Sequence, residues 1–268
     1  MSFTSAAFAG ALTASGSEFV APSTGDFWTP LIGDGAFAFT RPMLVSLVAV
    51  AIIATFLFLG ARRAAVVPTK SQFLVEFIYD FVRNGIARDM IGSKHFLRFL
   101  PLLLALFTFI LANNLAGVIP FLQNPPTGRI AFPLALVLVV YLAYHYVGLK
   151  QHGVGGYLKT MVPGGLPAWI VPFIFLIEFV TKFLIQPMTL TLRLFGNMLA
   201  GHMTLVLFIL GGEFLLFSAP GALKAAGIAA YGGAFLMTCF EMLIQFLQAY
   251  VFTLLTASYI SSSLEEAH

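Results

Sequence analysis

The chain has 268 residues, 59% of them hydrophobic and only 9% charged, with a mean hydropathy of +0.95. Soluble domains average about 25% charged residues, so this composition excludes an ordinary soluble protein and points to an all-α, polytopic membrane protein. A scattered net charge of +3 is too small for a nucleic-acid surface, and a single cysteine, Cys239, excludes internal disulfides and cysteine-based metal sites.

Residues 1–40 are small and rich in Gly, Ser and Thr, with Glu18, Asp26 and Asp34 as their charges. No basic stretch precedes an apolar core, so they read as an extramembrane leader and not as a cleaved signal peptide. Residues 41–268 read as one membrane domain. Met43 to Gly60 carries no charge, is ~27 Å long as a helix and can span; Arg62 and Arg63 close it. From Lys70 to Ile91, Phe73, Leu74, Phe77, Ile78 and Phe81 share one helical face, while Glu76, Asp80, Arg83 and Asn84 fall elsewhere. That pattern predicts an amphipathic helix lying in the membrane interface.

Phe99 to Leu122 is a second charge-free span and ends in Asn113-Asn114-Leu-Ala-Gly-Val-Ile-Pro120. Gln123-Asn-Pro-Pro-Thr-Gly128 reads as a turn, and Ile130 to Leu149 as the third span, forming a hairpin with the second. His145 near its end reads as an interfacial residue and not as a ligand. Lys150 to Pro167 is rich in Gly and Pro and reads as a connecting loop.

Two long apolar stretches remain. Pro167 to Gly212 would be ~69 Å long as a helix, about twice a ~30 Å hydrocarbon core. Hydropathy alone favours a helical hairpin broken at Pro187 without settling it, and Ala225 to Leu264 poses the same ambiguity. With one crossing each, the chain has five spans. An outside N-terminus then puts Arg62, Arg63, Lys70, Arg83, Arg88, Lys94, Arg98, Lys150 and Lys159 on the cytoplasmic side, against Arg41, Arg129 and Lys224 outside. The positive-inside rule favours this orientation, with a cytoplasmic C-terminus.

Within Pro167–Gly212 the charged side chains are Glu178, Lys182 and Arg193. Glu178 and Lys182 are four apart and can pair locally. Arg193 has no such acid, cannot shed its proton, and costs at least ~2.5–3.5 kcal/mol at a bilayer centre. A snorkelling arginine is the simple alternative, but a long uncharged run separates Arg193 from Gly211-Gly212, so a functional charge fits better. In the last stretch Glu241, Gln245 and Gln248 form a polar stripe at i, i+4 and i+7 that should face protein or water, not lipid. Amides such as Gln245 and Gln248 also serve as helix–helix glue; Glu241 reads as an ionisable site.

If the two stretches lie antiparallel, His202 stands ~13 Å beyond Arg193 and Glu241 stands ~10 Å before Gln248. One register then brings His202 near Glu241 and Arg193 near Gln248. Nine residues turn an ideal helix by about 180° from a simple 100° step, so His202 and Arg193 face opposite ways, with Asn197 on the arginine side. Gly196 and Gly201 permit close approach of a neighbouring helix.

The run Pro187-Met-Thr-Leu-Thr-Leu-Arg193-Leu-Phe-Gly-Asn197-Met, with Asn114-Leu-Ala-Gly-Val-Ile-Pro120 and Gln248-Ala-Tyr-Val-Phe-Thr-Leu-Leu-Thr, resembles subunit a of F-type ATP synthases of the bacterial type. The resemblance covers most of residues 40–268. It implies long, tilted single helices for the last two stretches and a place in the bacterial plasma membrane. It further implies a stator role beside the ring of c subunits, with the b-subunit peripheral stalk and the remaining synthase subunits as partners. The chain would not be catalytic alone and would hold no cofactor or metal. Arg193 is implied as the essential stator charge. An outer proton path would use Asn197, His202, Glu241, Gln245 and Gln248, and a cytoplasmic path would run near Glu178. Some members of the family have glutamate where His202 stands and histidine where Glu241 stands; both arrangements keep one acid and one imidazole. A secondary transporter is the alternative class, but no inverted repeat is visible. An intramembrane hydrolase is a third, but neither Gly-x-Ser-x-Gly nor His-Glu-x-x-His occurs.

Overall fold

A computed structural model describes residues 30–32, 39–62, 69–119, 126–160, 167, 169–217, 221 and 223–264. The expected leader falls mostly outside these residues. Its described part forms a short antiparallel pair, β1 (Pro30–Ile32) with β2 (Phe39–Thr40). The rest of the regular structure among the described residues is helical. Five helical runs are long and apolar enough to cross a membrane, as composition predicted for a polytopic membrane protein.

The first, α1 (Arg41–Arg62), exposes Leu44, Leu47, Ile52, Phe58 and Leu59, which suits a helix bathed in lipid. It meets the next helix, α2 (Lys70–Val82), at Gly60, where a Cβ would lie 2.6 Å from Val75 Cγ2. Thr69 caps α2 by accepting from Gln72 N at 3.4 Å. The helix continues through a π-turn, Arg83–Arg88, into α3 (Asp89–Ile91). Its apolar residues divide between two tasks. Phe73, Leu74 and Phe77 are exposed, as an interfacial helix requires. Ile78 and Phe81 turn inward, and Phe81 meets Phe107, Phe246 and Tyr250 with ring centroids 5.6–5.9 Å apart.

The second span is α4 (Phe96–Ala116), with Pro101 inside the helix, where it removes one backbone hydrogen bond near the start. A 3-10 turn, Pro126–Gly128, leads to α5 (Ala131–Lys159); residues 123–125 of the expected turn lie outside the described residues. α5 corrects one expectation. Lys150 to Lys159 is helical, although its glycines read as a loop. Gly153 does break the run with a φ of 68°, and the chain then resumes as helix and folds back on itself.

The fourth apolar stretch is continuous from Val171 to Phe217, in three parts: α6 (Val171–Val180), a π-turn Thr181–Ile185, and α7 (Gln186–Phe217). No hairpin forms at Pro187. Proline lacks the N–H that would bond the carbonyl four residues back, and its ring crowds that carbonyl. The π-turn lies immediately upstream and takes up this misfit. The last helix, α8 (Leu223–Leu264), is unbroken over 42 residues. At ~1.5 Å per residue both runs are about twice the ~30 Å hydrocarbon core, so the long-helix alternative holds for both.

The buried core joins Phe99, Leu103, Phe107 and Ile110 of α4, Val137 and Val140 of α5, Leu190 and Leu194 of α7, and Phe252 and Ile260 of α8. α7 and α8 make the most extensive helix contact. Small residues set their distance. A Cβ on Gly212 would lie 3.2 Å from the Tyr231 ring, one on Gly227 2.8 Å from Leu216 Cγ, and one on Gly233 2.9 Å from Phe208 Cε1. This antiparallel seam carries most of the polar residues singled out from the sequence.

Candidate functional site

Along the seam α7 presents Leu194, Asn197, Met198 and Gly201, spaced at three and four residues so that they share one face. α8 answers with Met237, Glu241, Ile244, Gln245 and Gln248, and α4 closes the end with Asn114; together they line a small cleft. The cleft has room for about one water.

The polar stripe on α8 is buried, as its position in an apolar helix required. Glu241 is 2% exposed, Gln245 3% and Gln248 5%. Gln245 Nε2 donates to Glu241 Oε1 at 3.2 Å and lies 3.9 Å from Met198 Sδ. Asn197 Nδ2 donates to Gln248 Oε1 at 2.8 Å, bridging the helices. Glu241 reaches the cleft because Gly201 faces it; a Cβ there would sit 3.2 Å from Oε1 and 3.3 Å from Cδ. Three polar atoms stay buried without a protein partner: Glu241 Oε2, Gln245 Oε1 and Gln248 Nε2. Leaving such an atom unsatisfied costs about 1–3 kcal/mol, and one water in the cleft can relieve part of that. The arrangement is one ionisable carboxyl held by amides, beside a space that admits water. It can take up or hand over a proton.

The antiparallel register inferred from the sequence is recovered within a few residues, since Gly201 faces Glu241 and Met198 faces Gln245. Two details differ. Gln248 is held by Asn197 and not by Arg193. Arg193 is half-buried and lies within electrostatic range of Tyr259 on α8. The physical reason is direction: helical side chains lean toward their own N-terminus, which in an antiparallel pair carries Arg193 toward higher numbers on α8. His202 is buried at 3% exposure, but the cleft is lined by its neighbour Gly201. Glu178, half-buried on α6, stands about 22 Å from Arg193 along the helix axis, on the side away from the cleft.

The sequence reading gave Asn114 no role beyond its motif. The structure buries it to 2% exposure in the cleft wall, with its Oδ1 accepting from Thr127 Oγ1 at 2.8 Å. The signal was present: two adjacent asparagines in a charge-free span must find partners inside the protein. His145 also departs from expectation. It is 8% exposed and lies 2.8 Å from the Tyr157 hydroxyl through Nδ1, so it is enclosed by protein groups.

Comparison with known proteins agrees with this architecture. The family model described as ATP synthase A chain matches residues 43–261. An ATP synthase subunit a of Nocardioides sp. is 42% identical over 96% of this chain and 97% of its own length. That of Pseudarthrobacter chlorophenolicus is 41% identical over 92% of this chain and 94% of its own. That of Streptomyces lividans is 38% identical over 94% and 90%. With its long antiparallel membrane helices and a family match from Met43 to Ser261, the chain belongs to the ATP synthase A chain family.

Proposed function

We propose that the chain is the ion-translocating stator of the membrane sector of a bacterial F-type ATP synthase, working beside a ring of c subunits and braced by a b-subunit stalk. Residues 41–268 act as one membrane domain in the plasma membrane, with the N-terminus outside and the C-terminus cytoplasmic. The chain catalyses no covalent step alone; it couples proton flow to rotation that drives ATP synthesis elsewhere in the complex.

The observation that carries this reading is a buried carboxyl-and-amide cleft that runs along α7 from Leu194, next to Arg193, to Gly201, between two largely apolar helices. Protons enter from the outer side past Asn114, Asn197, His202, Gln245, Gln248 and Glu241, and neutralise a carboxylate of the ring. After nearly a full turn they leave on the cytoplasmic side near Glu178. Arg193 separates the two paths. Its fixed charge favours the ionised ring carboxylate, which releases the proton, and repels protons that would cross directly. The electrical part of the driving force is ~2.3 kcal/mol per charge per 100 mV.

Gentle detergent purification tests the assignment. The chain should co-isolate with a ring of small hairpin subunits and a soluble ATPase, and isolation of the chain free of both would refute it. For orientation, single cysteines at the exposed Asn84 and Lys224, in a protein with Cys239 replaced by serine, should label from opposite sides of sealed vesicles. Labelling of both from one side would overturn the proposed topology.

A further inference from the structure

A second polar cluster lies on the other side of Arg193 from the Glu241 cleft. Because α5 breaks at Gly153, its last turns fold back and lay the Tyr157 ring against Gly148, where no Cβ would fit. Tyr157 Oη meets His145 Nδ1 at 2.8 Å. The His145 ring stacks on Phe183 at 4.6 Å and 27°, and Tyr144 Oη donates to the Lys182 carbonyl at 3.0 Å. Phe183 and Lys182 both belong to the π-turn of the fourth span, so the turn presents a carbonyl and a ring face to α5. From Tyr144 the cluster continues to Tyr259 at 5.7 Å, and Tyr259 is within range of Arg193. At its other edge Tyr157 lies beside Ser263.

Packing alone does not account for a histidine here. His145 is 8% exposed, and its Nε2 is buried without a partner. A buried unpaired ring nitrogen carries a desolvation penalty that a phenyl ring of similar shape would avoid. What an imidazole adds is the ability to take a proton on one nitrogen and release another from the opposite one. The titratable groups facing it are Tyr141 and Tyr144 of its own helix, Tyr157 from the folded-back turn and Lys182 from the π-turn.

We propose that His145 and Tyr157 are a proton-passing pair in the half-path on the Glu178 side of Arg193. This rests on the stator reading above and names a carrier for its second path. A proton released near Arg193 binds Nε2. The Nδ1 proton moves to Tyr157 Oη while the hydroxyl proton leaves toward Ser263 or water, so one proton enters and one departs. Transfer of a proton from Nε2 back to Nδ1 through water then restores the starting tautomer. Tyr144 is the positioning residue, holding the π-turn against the pair.

The test uses the intact complex in membrane vesicles and measures ATP-driven proton pumping. His145→Gln keeps a hydrogen-bonding partner for Tyr157 but cannot relay, and Tyr157→Phe keeps the ring on Gly148 and removes only the hydroxyl. Each should slow pumping about a hundredfold, the lower end of what a positioned proton carrier contributes, and the double variant should be no slower than either. His145→Ala should regain rate when imidazole is added, which a purely structural role would not allow. Full pumping in Tyr157→Phe overturns the proposal, including where a His145 variant fails to assemble. So does a defect in His145→Ala that imidazole leaves unchanged. Arg193→Ala is the control that separates the two ideas. Normal pumping there defeats the stator reading, whereas its loss beside a normal Tyr157→Phe defeats only the pair.

Discussion

Asn197 and Gln248, 51 positions apart in the chain, are joined by a 2.8 Å hydrogen bond from Nδ2 to Oε1 across the α7–α8 seam. The bond fixes the register of the two longest helices beside Arg193. Asn197→Ala leaves the Gln248 carbonyl buried without its donor and should cost about 1–3 kcal/mol. Since the two residues share one bond, a double-mutant cycle with Gln248→Leu should show coupling of roughly 0.5–3 kcal/mol. Unfolding of the solubilised protein followed by melting would measure it. Simple additivity would mean the bond contributes nothing to the seam.

Arg193 is the cation between the cleft and the His145 cluster. Arg193→Ala should abolish ATP-driven proton pumping and ATP synthesis while the complex still assembles, because the charge is half-buried and outside the packed core. Arg193→Lys should rescue poorly, since a lysine can lose its proton in an apolar site and lacks the planar fork. Pumping assays on vesicles with quantified subunit content separate transport from assembly.

Gly201 sets how deep Glu241 sits. A Cβ at 3.2 Å from Oε1 is tight but faces the end of a side chain, so Gly201→Ala should be tolerated with a small loss of rate. Gly201→Val adds two methyl groups in the same space and should cost about 1–3 kcal/mol by overpacking, displace the carboxyl from Gln245 and block the cleft. Comparison of melting temperature and pumping rate in the two variants checks this. Equal behaviour of alanine and valine would refute the close approach.

His202 follows Gly201, which faces Glu241, so the two buried residues stand at about one depth on facing helices. If they serve one relay, either single change should slow proton entry, and the losses should not add in the double mutant. The exchange, His202→Glu with Glu241→His, should recover more activity than either single change, because an acid and an imidazole still line the path. Pumping rates in the four variants decide it, and strictly additive losses without recovery would separate the two residues.

Much of this arrangement was legible in the residues. Charge-free runs of about twenty residues or more read as membrane helices, since lipid offers their backbone no partners and they are too long for barrel strands. Arg193 and the Glu241–Gln245–Gln248 stripe were visible because polar groups in such runs must face inward. The antiparallel register followed from matching two polar spacings. Other features needed the tertiary structure. Hydropathy could not choose between hairpin and long helix, because both bury the same residues; the π-turn before Pro187 decided it by absorbing the missing N–H. Glycines at 153, 155 and 156 suggested a loop, yet Tyr157 packing on Gly148 holds that segment as folded-back helix. The burial of His145 and Asn114 was likewise hidden, because each finds its partner, Tyr157 or Thr127, only after the chain reverses direction. Periodicity reports which way a side chain points on its own helix; what waits there depends on helices placed by long-range packing.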